Sequence, residues 1–175
     1  MEERAEPPQV GTEAEQLLAF LGYQRATLLR KASGLGTEGL AQSLSPSPMT
    51  LGGLLSHLTF VEDYWFSVVL AGNRPAPPWD EVDWDADGDH DWHRAAGADP
   101  GALVAAYRET LTRVDVHIAA ALAAHGPDAR AAKQNRRTGE PFNLRWLLLH
   151  MIEEYARHLG HADLIRESID GEVGM

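Results

Sequence analysis

The prolines and glycines of this chain gather between a few alanine- and leucine-rich stretches, and that distribution most narrows what it can fold into. Proline removes a backbone donor and clashes with the preceding turn, and glycine loses the most freedom on ordering, so both collect where helices stop. The expected product is a set of helices joined by irregular loops, with little strand. A length of 175 residues suits one domain with a sizeable core. Residues 1–11, acidic and proline-containing, read as a flexible segment ahead of it.

Four helices follow from the pattern. The first starts at Thr12, where Thr12-Glu13-Ala14-Glu15 has the spacing of a capping box. Leu17, Leu18, Leu21, Leu28 and Leu29 recur at helical spacing until Gly34 and Gly36, and Ser43 to Pro48 is a loop. Thr50 caps a second helix that runs through Leu70 to the stop at Gly72-Asn73. Its Leu54, Leu58, Val61, Trp65 and Val68 share one stripe, with His57 at the edge beside Tyr64. The third helix opens at Asp99-Pro100 and carries Leu103, Tyr107, Leu111, Val114 and Ile118 to Gly126-Pro127. A polar loop from Asp128 to Pro141 precedes a fourth helix, capped by Asn143 and running from Leu144 to about Ser168. Between Gly72 and Asp99 lies a crossover rich in Trp, Asp and Pro, long enough to leave helices two and three parallel in a four-helix bundle. Trp79, Trp84 and Trp92 are expected to pin it across one end.

Several functions are excluded or disfavoured at this stage. There is no cysteine, so disulfides, thiolate ligands and a cysteine nucleophile are ruled out; any thiol must arrive on another molecule. A net charge of −11 argues against wrapping a nucleic acid and is compatible with attracting cations. The N-terminus has no apolar run resembling a signal peptide, and no stretch approaches a membrane span, so a cytoplasmic protein is expected.

The richest chemistry is on helix four: His150, Glu153, Glu154, His158 and His161. Leu144, Leu147, Met151, Tyr155, Leu159 and Ala162 define its apolar face, with His158 inside that sector and Glu154 on its flank. Glu154 and His158, one turn apart, point to the same side. An ionised carboxylate facing a core needs a partner, and a divalent cation is one. His57, the polar intruder on helix two, is the best candidate for the third ligand of a set that suits Zn or Ni, and also Fe or Mn; the alternative is hydrogen-bonded core histidines with a solvated charged face. Positions left open would take water, thiol or substrate. His150 and His161 sit nearer the polar boundary, to orient a ligand or touch substrate, with His161 an alternative fourth ligand. Tyr64 and Arg137 are further candidates for contact with substrate. Lys133, Arg136 and Arg137 read first as a solvated loop; if they face the metal pocket, they would hold an anionic group. Asp83-x-Asp85-x-Asp87-Gly88 opens like a calcium loop, but Arg94 stands where the twelfth-position carboxylate belongs, so a solvated acidic turn is expected.

Three segments, Met49 through Leu58, Val61 through Phe66 and Leu144 through Asp163, resemble the DinB-like superfamily, especially its actinobacterial mini-circle branch. The resemblance covers most of the chain. It implies an all-α, up-down-down-up bundle, commonly a homodimer, with one metal ligand from helix two and two from helix four. Many relatives use three histidines; here the helix-four pair is Glu154-x-x-x-His158, similar to the His/Glu/His set of mycothiol-dependent maleylpyruvate isomerases. Gly160 fixes this register and puts His161 where many relatives carry Gln. What the resemblance implies for function is a metal-dependent enzyme using an external thiol, mycothiol for an actinobacterial source, in S-transfer or isomerisation of a small-molecule substrate. A metal-dependent hydrolase and a non-catalytic metal- or ligand-binding bundle are the alternatives.

Overall fold

The computed structural model describes residues 4–173. Among them are six α-helices and one small sheet: α1 (Glu13–Ala32), α2 (Thr37–Leu40), α3 (Leu51–Glu62), α4 (His90–His93), α5 (Pro100–His125), β1 (Arg130–Gln134), β2 (Pro141–Asn143) and α6 (Leu144–Asp170). The first three residues of the expected N-terminal tail lie outside the described residues. Of the remainder, Arg4 donates to Thr27 at 3.2 Å and lies over the Tyr23 ring.

Each long helix begins on a side chain that satisfies an orphan amide. Thr12 accepts from Glu15 N while Glu15 accepts from Thr12 N, the reciprocal capping box. Thr50, Asp99 and Asn143 accept from Gly53, Ala102 and Trp146 amides at 2.9, 2.8 and 2.9 Å. Caps of this kind contribute about 1 kcal/mol apiece. No helix among the described residues is long and apolar enough to cross a membrane.

α3 is buried on almost every side, with only His57 and Phe60 half-open. A helix apolar all round belongs at the centre, and α3 packs against α5, α1 and α6. Arg145 and Glu13, near the starts of α6 and α1, pair at 2.9 Å, and Lys31 near the end of α1 meets Asp163 at 2.8 Å. Those two helices therefore run the same way. Trp65, just past α3, touches Phe142 and Trp146 at the start of α6, so α3 opposes α6.

One polar network sits inside this packing. Arg25 donates twice to Glu62, at 2.7 and 2.6 Å, and Tyr155 donates to the same carboxylate at 2.8 Å. The Tyr107 and Tyr155 hydroxyls meet at 2.6 Å. One side chain from each of α1, α3, α5 and α6 thus converges at a single level. Burial drives both phenols to hold their protons far above the ordinary tyrosine range.

The structure departs from the sequence reading at identifiable places. Beyond Glu62 the helix continues as a π-helical stretch, Asp63–Leu70, and the 3.6-residue stripe fails there. Phe66 and Val69 enter the core, while Trp65 turns half out. Residues expected as a polar loop after Asp128 instead form an antiparallel hairpin, β1 with β2, packed on that π stretch. Its strands are short and rich in Ala, Lys and Gln, so propensity did not announce them. α2 falls between Gly36 and the expected loop at Ser43, where the sequence pattern assigned no element, and the crossover holds α4 and a 3-10 turn at Trp79–Glu81. Leu18 is exposed, unlike its neighbours Leu21 and Leu28.

Candidate metal centre

His57 occupies one of the two half-open positions of α3, where it looks toward α6. On α6 the residues Leu144, Leu147, Met151, Tyr155, Leu159 and Ala162 are all buried, which fixes the rotation of the helix. Glu154 and His158 then stand on the flank facing His57, with side chains 22% and 14% exposed. Glu154 Oε1 lies 3.3 Å from His57 Nε2 and 3.2 Å from His158 Nε2. The His57 and His158 rings meet edge to face, centroids 4.9 Å apart.

The far side of His57 is held from the crossover. Its Nδ1 lies 2.5 Å from Asp91 Oδ2, and the Trp92 ring stacks on it at 4.3 Å, tilted by 18°. Asp91 is buried. A carboxylate there accepts the Nδ1 proton and leaves Nε2 turned toward Glu154. Asp91 was missed in the sequence. It stands 34 residues from His57, and no spacing rule links a crossover carboxylate to a helix imidazole. His158 has no such support: its Nδ1 is buried without a hydrogen-bond partner among the described residues.

The electrostatics follow from this geometry. Hydrogen bonds from His158 and then His57 hold the Glu154 carboxyl far below the usual carboxylate range, against the opposing effect of burial. Burial would push the His57 imidazole down, but its hydrogen bonds to Asp91 and Glu154 outweigh that and raise its pKa. Glu154 is therefore ionised at neutral pH.

These three residues could hold a metal ion, since one donor atom from each lies within 4.8 Å of the others. Donors bonded to a common ion at about 2.0–2.2 Å lie about 3–4 Å apart in tetrahedral geometry, which the Glu154 separations match. Two imidazoles and a carboxylate, one imidazole already oriented by a buried acid, fit a divalent cation.

The other sequence candidates fall elsewhere. His161 is exposed, its ring 6.2 Å from that of His158, and it is not part of the converging group. His150 lies one turn back, stacked on Trp146 at 5.0 Å and edge-on to Trp65 at 4.8 Å. Tyr64 packs on Phe60 and Trp65, and Arg137 is exposed at the hairpin tip. In the acidic turn, Asp83 accepts from the amides of Asp85 and Ala86, and Asp87 is paired with His93 at 2.9 Å.

The family model of the mycothiol-S-transferases matches residues 16–171, nearly the whole chain. The chain belongs to that family. It is a DinB-like family, in line with the resemblance carried by the second and fourth sequence helices. No curated protein matches the chain. Residues of all the elements that build the donor cluster in this mycothiol-S-transferase family member, α3, the crossover and α6, lie within the matched segment.

Asp91 gives the first prediction. Asp91→Asn keeps the shape but presents a neutral oxygen, or a competing donor, to His57 Nδ1. Affinity for a divalent ion is expected to fall by about 10–100-fold, measured by competition against a chromogenic chelator. Unchanged affinity would mean that the contact does not orient the ring.

Proposed function

We propose that this protein is a metal-dependent S-transferase that joins the sulfur of mycothiol to an electrophilic small molecule. The observation that carries the reading is the convergence of His57, Glu154 and His158 in a chain of the mycothiol-S-transferase family. The chain has no cysteine, so the sulfur comes from the co-substrate.

A divalent ion bound by these residues, Zn or Ni by donor type, would lower the pKa of a thiol in its open positions and so supply the nucleophilic thiolate. The protein's own contribution is placement. Asp91 and Trp92 hold the His57 ring, Glu154 remains charged between the two imidazoles, and α6 keeps Glu154 and His158 one turn apart. The thiolate attacks the electrophilic carbon, the C–S bond forms, and the departing group leaves with the displaced electron pair.

The same proposal covers finer points. The helix directions support an up-down-down-up bundle forming one domain. Membership of the actinobacterial mini-circle branch, with a homodimer, rests on the sequence motifs of helices two and four, and a cytoplasmic location is part of the same proposal.

The test is turnover by metal-loaded protein with mycothiol and an activated aryl halide. Thiol-dependent product, lost on chelation and restored by metal, is expected, as is a thiol-dependent change in the absorption of cobalt-substituted protein. No turnover together with no spectral change counts against the reading. Product formed without thiol points to hydrolysis instead.

A further inference from the structure

Next to the donor cluster, but apart from it, the hairpin and the π-helical stretch enclose a surface cavity of about 370 Å³. Tyr64, Trp65 and Phe142 form its aromatic wall, and Lys133, Arg136 and Arg137 bring three cations to it. In a chain of net charge −11 that concentration is against the grain of the surface. None of the three cations has an ion-pair partner among the described residues. None stacks on an aromatic ring either; the cation–ring contacts found involve Arg4, Arg25 and Arg94. Asp128 and Glu140, the acids nearest in sequence, line an adjoining cavity with Arg130, which shares only Asn135 and Phe142 with this one.

The hairpin fixes the backbone from which these cations extend. Asn135 Oδ1 accepts from the amides of Arg137 and Thr138, and Asn135 N donates to Glu140 O at 2.9 Å. Gly139 takes a positive φ of 73°, which closes the turn. Its aromatic wall stands on the stretch that continues the helix of His57 and touches the helix that carries Glu154. Tyr64 follows His57 by seven residues, across the junction between α3 and the π-helical stretch. From the other side, Trp65 touches His150, one turn before Glu154.

We infer that this cavity binds the carboxylate of an aromatic or other flat, apolar acceptor substrate, the ring against Tyr64, Trp65 and Phe142 and the anion on Lys133, Arg136 and Arg137. Guanidinium groups bind carboxylates through paired donors, and the aromatic wall takes the apolar body. Assigning the ligand to the acceptor rests on the S-transfer reading; binding of the anion does not.

The experiment compares benzoate with its neutral isostere benzamide by calorimetry on the full-length, metal-loaded protein, without thiol, at low ionic strength. Benzoate is expected to bind roughly 10-fold or more tightly than benzamide, the scale of charge-assisted hydrogen bonds. Raising the salt should narrow the gap. In the combined Lys133→Gln, Arg136→Gln, Arg137→Gln variant the preference should vanish while mycothiol binding stays unchanged. Arg136 and Arg137 are exposed and Lys133 only half-buried, so the variant should keep its circular dichroism and melting temperature. Three results would overturn the inference. Benzoate binding no better than benzamide, or not at all, removes the anion. Benzoate binding that survives in the variant places it on the metal instead. Loss of mycothiol binding in the variant makes the cavity a site for the thiol's sugars. S-transfer fails or succeeds by turnover, so the two ideas can fall separately.

Discussion

Replacing Glu154 with alanine is expected to weaken divalent-ion binding by more than about 100-fold, beyond the range for an outer partner such as Asp91. Glu154 is the only anion of the converging set, and its Oε1 stands between both imidazoles, at 3.3 and 3.2 Å. Without it only the two imidazoles remain, one of them lacking a partner at Nδ1 among the described residues. Glu154→Gln separates charge from shape, because the amide keeps an acceptor oxygen and nearly the same volume. It should lose most of the affinity as well, since a divalent cation favours a carboxylate far more than an amide. Neither change should unfold α6. Glu154 lies on the flank of the helix, outside the buried face, and alanine is the best helix former. Metal content by mass spectrometry after gel filtration, with circular dichroism beside it, reads the result. If His57→Ala, Glu154→Ala and His158→Ala combined leave the metal content unchanged, the cluster is not the metal centre, and the S-transfer mechanism loses its means of activating the thiol.

What could be foreseen from the sequence was what depends on near neighbours. The apolar face of α6, from Leu144 to Ala162, and the four caps at Thr12, Thr50, Asp99 and Asn143 all repeat or close within a turn, so local spacing reveals them. His57, Glu154 and His158 could be paired because each departs from an apolar periodicity that was itself visible. The features that stayed hidden are long-range. Asp91 reaches His57 across 34 residues and Arg25 reaches Glu62 across 37, and neither pair has any local signature. Glu62 lay unremarked beside Val61, one position from a core residue, because nothing in the sequence shows that a charge on that side is enclosed. The π-helical stretch escaped for a different reason. Its sequence, rich in Val and aromatics, suits any buried helix, and only packing against Arg113 and the hairpin decides the wider turn. Asp63, at its start, accepts from Arg113 at 3.0 Å and from the Ala76 amide at 3.0 Å.

That buried network carries the second large effect. Arg25→Met is expected to destabilise the fold by about 3–5 kcal/mol, because it leaves the Glu62 carboxylate enclosed without its cation. For a chain of this size the melting temperature should fall by roughly 6–20 °C. Glu62 has no exposed surface, so water cannot replace the lost guanidinium. Tyr155 would still donate to the carboxylate, but a single neutral donor does not offset a buried charge. Asp115, which also meets Arg25 at 2.8 Å, is 57% exposed at its side chain, and Asp115→Asn should change stability by less than about 1 kcal/mol. The contrast tests burial against ion-pair count. Combining Arg25→Met with Glu62→Gln should cost clearly less than the two single changes added together, because each single change strands a partner that the double change removes. Additive losses, or an Arg25→Met protein as stable as the parent, would mean that the Arg25–Glu62 pair is not what holds this level of the core together. The consequence reaches the candidate metal donors, because Glu62 lies five residues after His57 on α3 and Tyr155 directly follows Glu154 on α6. The network therefore fixes the register in which the two helices face each other, and a loosened register would separate His57 from Glu154 before either helix melts.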